Sequence, residues 1–139
     1  MTQHDPVTQA NHQLVRDFFL AIAKGEVPDH LVTDDMTFWS VNSGTADKAR
    51  FQGAMKILSS IFAGTLVYDI ESLTAEEDRV VAEIKSHGTL AGEPFNNTHV
   101  FLFRVRDGRI ANAMEYMNQF VVREKIIPQM QAAMSRAQT

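Results

Sequence analysis

The spacing of apolar residues changes near residue 65, from a helical period to a period of two. Before that point, Ala10, Leu14, Val15, Phe18, Phe19 and Ile22 recur three and four apart, which predicts one amphipathic helix. Asp5-Pro6 supplies a capping carboxylate and a first-turn proline, and Gly25 ends the run. A short second helix is expected after Pro28, then a strand over 36–41. Asp47 can cap a further helix, with Phe51, Ala54, Met55, Leu58, Ile61 and Phe62 as its apolar stripe and Gly64 as its stop.

Beyond the change of period, residues 66–74, 80–90, 95–106 and 109–117 alternate in twos. Turn residues separate them: Ala75-Glu76-Glu77-Asp78, Ala91-Gly92-Glu93-Pro94 and Asp107-Gly108. A last helical segment starts near Asn118, is interrupted by Pro128 and is expected to fray after about Met134. Helices segregated from an antiparallel meander predict an α+β fold. Long strands with one apolar face need the helices as a cover. A strongly curved sheet covered on one side leaves a pocket open at one end.

Composition narrows the class. The 139 residues are 45% hydrophobic and 22% charged, an ordinary globular balance. Thirteen basic against seventeen acidic residues give a net charge of −4, which leaves no basic footprint for nucleic acid or anionic lipid. Without cysteine there are no disulfides or thiol nucleophiles. His4, His12, His30, His87 and His99 are dispersed and show no metal-ligand spacing. No apolar run approaches the ~20 residues of a membrane span, and the first residues lack the blocks of a secretory signal. A soluble cytoplasmic domain is expected.

The run Phe103-Arg104-Val105-Arg106-Asp107-Gly108-Arg109-Ile110, followed by Glu115-Tyr116-Met117-Asn118, resembles the nuclear transport factor 2-like superfamily. The nearest part is the SnoaL-like polyketide cyclase and ketosteroid isomerase-like group. The resemblance implies one domain over residues 1–139, with a core of about 8–127 and a helical tail over 118–135. It also implies a cone-shaped antiparallel sheet wrapped by N-terminal helices, as in cystatin-like folds. The group includes isomerases, cyclases, dehydratases, epoxide hydrolases and binders, so it implies a pocket rather than a reaction.

Which side chains face that pocket depends on the hairpin at Gly108. A two-residue loop would pair Arg106 with Arg109 and His99 with Tyr116. A three-residue loop would pair Val105 with Arg109 and His99 with Glu115, and a one-residue slip exchanges the faces. The three-residue loop sets Phe101 against Ala113 and Phe103 against Ala111, large against small, and matches the usual hairpin of the group. On that register Asn97, His99, Phe101, Phe103 and Val105 face in, with Ala111, Ala113, Glu115 and Met117 beside them. Val80, Ala82, Ile84, Ser86, Gly88 and Leu90 face in from the strand over 80–90. Ser86, Asn97, His99 and Glu115 then gather at one end of an otherwise apolar cup.

His99 and Glu115, directly opposed at ~5 Å between Cβ atoms, can pass a proton between them, which suits general acid–base work. The same pair can instead satisfy its own hydrogen bonds and fix the strand register. In polyketide cyclase relatives an acid at the position of Glu115 is the acid–base group. It is commonly Asp there, so Glu115 reaches one methylene further. Expected binding residues are Asn97, Ser86, Phe38, Phe19, Met55, Phe62, Ile84, Phe101 and Met117, with Met114 as a further candidate for the rim. Of Phe38 and Trp39, alternation admits one, and the resemblance favours Phe38.

Departures from the group limit the chemistry. The first helix carries Phe18 and Phe19 but no Tyr, against an isomerase-type oxyanion hole built there. Ile84 and Ser86 stand where limonene epoxide hydrolase-like sites carry Arg and Asp. Scytalone dehydratase-like sites pair histidines, and only His99 faces in. Three readings follow: a cofactor-independent isomerase, cyclase or lyase acting on a small apolar carbonyl compound; a non-catalytic binder of an apolar metabolite; and, least favoured by the polar inner cluster, a protein-interaction domain as among the nuclear transport relatives. The outward residues Val100, Leu102, Met114 and Tyr116 form an apolar stripe, which suggests a homodimer unless the terminal helix covers it.

Overall fold

A computed structural model describes residues 5–137. Helix α1 (Pro6–Ala23) starts where Asp5 accepts the Thr8 amide at 2.8 Å, and it buries Val15, Phe18, Phe19 and Ile22. No helix follows Pro28; the chain turns directly into β1 (Val32–Ser40). That strand begins four residues before the expected start because the exposed pair Asp34-Asp35 interrupts its alternation, where its register is irregular. A short edge strand β2 (Gly44–Asp47) was not expected, since Gly44, Ala46 and Asp47 are residue types depleted in strands. Asp47 then caps α2 (Lys48–Ile61), accepting the Arg50 amide at 2.9 Å.

Strands β3 (Val67–Glu76), β4 (Arg79–Leu90), β5 (Glu93–Arg106) and β6 (Arg109–Met117) form the meander. The sheet order is β2-β1-β6-β5-β4-β3, with β1 parallel to β6 and every other pair antiparallel. The sheet is curved and unclosed, and α1 and α2 cover its inner face. The core between them is an aromatic cluster. Phe18 meets Phe103 edge-on at 5.4 Å, Phe19 meets Phe101 at 4.9 Å, and Phe38 stacks on Phe51 at 4.2 Å. Gly88 has no space for a side chain, because the Thr65 carbonyl and the Phe62 ring sit where its Cβ would project.

The β5–β6 hairpin corrects the expected register. Asp107 (φ 53°) and Gly108 (φ 75°) make a two-residue left-handed turn, so Arg106 pairs with Arg109. Ala111 is then an extra residue on β6: Val105 pairs with Ile110, but Arg104 pairs with Asn112. This bulge restores the parity that the shorter turn would have changed, so the faces stay as expected while the partners slide. His99 pairs with Met117, Phe101 with Glu115, and Phe103 with Ala113. Ile110, fully buried, takes the inward place expected of Ala111.

After β6 the chain makes one helical turn α3 (Gln119–Val121), a π-helical segment Val122–Ile126 and α4 (Ile127–Ala137). The wide π turn lies just before Pro128, which has no N–H for the ordinary ladder. Helix α4 continues to Ala137, past the expected fraying point. Val122, Ile126 and Met130 pack with Phe62, Leu66, Leu90 and Phe95, so this tail covers the open end of the sheet's inner face. It leaves the outer stripe uncovered. No described helix is long and apolar enough to cross a membrane.

Candidate functional site

A cavity of about 350 Å³ lies between the inner face of the sheet, α2 and the C-terminal tail. Phe38, Phe51, Met55, Leu58, Phe62, Phe95 and Phe101 supply apolar wall. Ser86, Asn97, His99 and Glu115 supply the polar patch. Phe38, Met55, Phe62, Phe101 and Met117 line it as expected residues do, whereas Phe19 and Ile84 lie in the core outside its wall. Trp39 points to the outer face, where it packs on Tyr116 at 5.1 Å, and Met114 is outward too, not at the rim.

The polar residues form a continuous chain. The His99 Nδ1 lies 2.7 Å from Glu115 Oε2, and its Nε2 lies 2.7 Å from the Ser86 hydroxyl. A carboxylate only accepts, so Nδ1 carries the proton toward Glu115, and a neutral ring then accepts the Ser86 hydroxyl at Nε2. His99 and Glu115 are diagonal neighbours across β5 and β6, not opposed. Diagonal positions are ~7–8 Å apart, a gap that two long side chains can close. The extra methylene of Glu115 over Asp is used in this reach. The two side chains are 9% and 15% exposed, enough for contact with a ligand and little enough to exclude bulk water.

Asn97 is opposite Ser86 on β5. Its Oδ1 accepts the Thr98 amide at 2.8 Å, which fixes the amide orientation. Its Nδ2 is buried without a hydrogen-bond partner. A native chain rarely buries a free amide donor, and a ligand oxygen would satisfy it.

Tyr68 completes the row. It lies opposite Ser86 on the other side, from β3, and its ring packs on Phe19 at 5.5 Å and His99 at 5.9 Å. Its hydroxyl has no hydrogen-bond partner among the described residues. Burial, and then the charge of Glu115, push its pKa well above the usual tyrosine range. Tyr68 stays a neutral donor in the fold. The sequence showed it only as one alternating residue on a strand that bulges between Ile70 and Ser72. Other unexpected lining residues are Arg50, Ser40 and Asn42, and Val122, Ile126, Ile127 and Met130 of the tail.

The raised Tyr68 pKa has a stability consequence. Above the unfolded value near 10, the unfolded chain loses this proton and the folded one keeps it. Stability from this group is therefore full below about pH 10 and declines as pH rises further. Urea unfolding at pH 8 and pH 11 should show a smaller alkaline loss for Tyr68→Phe than for the parent. Equal losses in both proteins would contradict the assignment.

Among the described residues no three His, Asp or Glu side chains converge as metal ligands. The SnoaL-like domain family matches residues 15–113. The chain belongs to that family. No curated protein matches it. A structure from Jannaschia sp. CCS1 named as a SnoaL-like polyketide cyclase superimposes with a TM-score of 0.71 at 17% identity, over 91% of this chain and 97% of that one. An NTF2-like protein from Anabaena variabilis gives 0.72 at 26% identity, over 85% and 95% of the two chains. An LEH-like epoxide hydrolase from M. tuberculosis gives 0.68 at 17% identity, over 94% and 99%. These likenesses establish the nuclear transport factor 2-like fold. Ile84 and Ser86 both face inward from β4 and are buried.

Proposed function

We propose that this SnoaL-like chain is an isomerase- or cyclase-type enzyme that moves a proton on a small, largely apolar carbonyl compound. The observation that carries the reading is the Glu115–His99 hydrogen bond of 2.7 Å inside a largely apolar cavity. Glu115 Oε2 is held by His99, and Oε1 has no protein partner among the described residues. Oε1 is then the base for a proton beside a carbonyl. The buried Asn97 Nδ2 and the Tyr68 hydroxyl are donors for the oxygen on which charge develops. A polyketide-type ketone fits this chemistry, in keeping with the name of the Jannaschia neighbour. The chemistry uses the chain's own side chains, without a cofactor.

The test is deuterium uptake from solvent into small enolisable ketones, followed by NMR. Uptake that depends on Glu115 supports proton transfer. A second reading, a non-catalytic binder, is favoured by one observation: both ring nitrogens of His99 are already hydrogen-bonded. Saturable ligand binding with no uptake above buffer would decide for it.

We also infer a homodimer through the outer sheet face. Trp39, Met114 and Leu102 form one outward row across β1, β6 and β5, with the exposed Val100 and Tyr116 beside it. The parent chain should sediment at twice its mass at micromolar concentration. Val100→Arg, a change at an exposed site, should sediment as a folded monomer. A monomeric parent would remove the dimer.

A further inference from the structure

We propose a further activity for this cavity: hydrolysis of small apolar carboxylic esters with Ser86 as the nucleophile. Proton abstraction by Glu115 does not require it. The juxtaposition is a relay, Ser86 Oγ to His99 Nε2 at 2.7 Å and His99 Nδ1 to Glu115 Oε2 at 2.7 Å. This is the connectivity of nucleophile, base and orienting carboxylate in serine hydrolases, which is recognised by geometry on unrelated folds. Ser86 is buried, faces the cavity and makes no other side-chain hydrogen bond among the described residues.

The second half of the argument is what flanks the hydroxyl. Tyr68, Ser86 and Asn97 occupy one cross-strand row over β3, β4 and β5. Directly opposed residues have Cβ atoms ~4.5–5.5 Å apart, so both neighbours border the reacting atom. Each carries an unused donor: the Tyr68 hydroxyl, and the Asn97 Nδ2 that is buried without a partner. Donors of this kind serve an oxyanion. A relay of purely structural purpose would leave them without an occupant.

The steps balance. Ser86 Oγ bonds to the acyl carbon while its proton passes to His99 Nε2. The carbonyl oxygen takes the negative charge against Asn97 and Tyr68. On collapse the bond to the alkoxy oxygen breaks, and that oxygen takes the proton from His99. Water then attacks the acyl-serine, giving its proton to His99. The Ser86 oxygen leaves and recovers that proton, releasing the acid. The net reaction is ester plus water to acid plus alcohol. Glu115 touches no substrate atom in this reaction and acts as a positioning residue.

The experiment is labelling of the full chain with an alkyl fluorophosphonate, read by intact mass and peptide mapping, beside turnover of p-nitrophenyl butyrate. One phosphonyl group per chain, on Ser86, is the expected result. Turnover should fall by roughly 100-fold or more in His99→Ala. Ser86→Cys should retain a covalent acyl intermediate and Ser86→Ala should form none, with circular dichroism verifying the fold of each. No adduct on the folded parent chain, or an adduct only on another residue, overturns the proposal. Deuterium uptake with no adduct leaves proton abstraction standing and removes the esterase. An adduct with no deuterium uptake does the reverse.

Discussion

Glu115→Gln should lower deuterium uptake into an enolisable ketone by roughly 10²–10⁴-fold, the usual contribution of a positioned acid–base group. The change removes the charge and the proton affinity and keeps the shape. The amide oxygen of glutamine can still accept the His99 Nδ1 proton across the 2.7 Å contact. Only the charge assistance of that hydrogen bond is lost, about 1 kcal/mol of stability. Activity and stability should therefore separate. Thermal unfolding and NMR uptake on the same preparation measure both. If the pair serves only the sheet, the outcome reverses: the variant unfolds early, still binds ligand, and never differed from the parent in uptake. His99→Gln is a useful companion, since it breaks both links of the chain and should cost more stability than Glu115→Gln.

The faces of the central strands were legible because burial has the same period as a strand. Val80, Ala82, Ile84 and Ser86 alternate with Glu83, Lys85 and His87, and the structure buries the first set. The pairing of Glu115 was not legible in the same way. Register depends on the turn and on any bulge between the turn and the site, and the Ala111 bulge carries no distinct residue signature. Two departures cancelled: the turn is one residue shorter than expected and the bulge adds one. The inward set survived, and the geometry of the dyad changed from opposed to diagonal. Tyr68 was missed because no residue of β3 is fully buried and its bulge near Glu71 breaks the alternation. The wall supplied by Val122, Ile126 and Met130 was missed because a tail with a central proline shows no direction of packing. Phe19 and Ile84 have the inward direction expected of lining residues, but direction does not separate core from wall. That distinction depends on how far α1 presses into the sheet.

Phe101→Ala should destabilise the chain by about 3–5 kcal/mol, the range for removing a buried aromatic ring. Phe101 is 1% exposed and forms the partition between the aromatic core and the cavity. Its ring meets Phe19 edge-on at 4.9 Å, lies parallel to Phe103 at 5.8 Å, and borders His99 at 5.8 Å. Neighbours on β4 and β6, Ala82 and Glu115, cannot fill the space: one is too small and the other is tied to His99. A domain of this size has roughly 5–15 kcal/mol of stability in total, so the loss approaches unfolding at physiological temperature. Urea denaturation measures it directly. The same deletion at Phe120, which is 77% exposed, should change stability by no more than about 0.5 kcal/mol. Removing the partition also joins the new void to the existing cavity. A small apolar ligand that fills both should then restore part of the midpoint in Phe101→Ala and shift the parent less, because binding stabilises only the folded form. Equal shifts in the two proteins would mean that the ligand does not reach the space Phe101 leaves, and that the cavity ends short of the aromatic core.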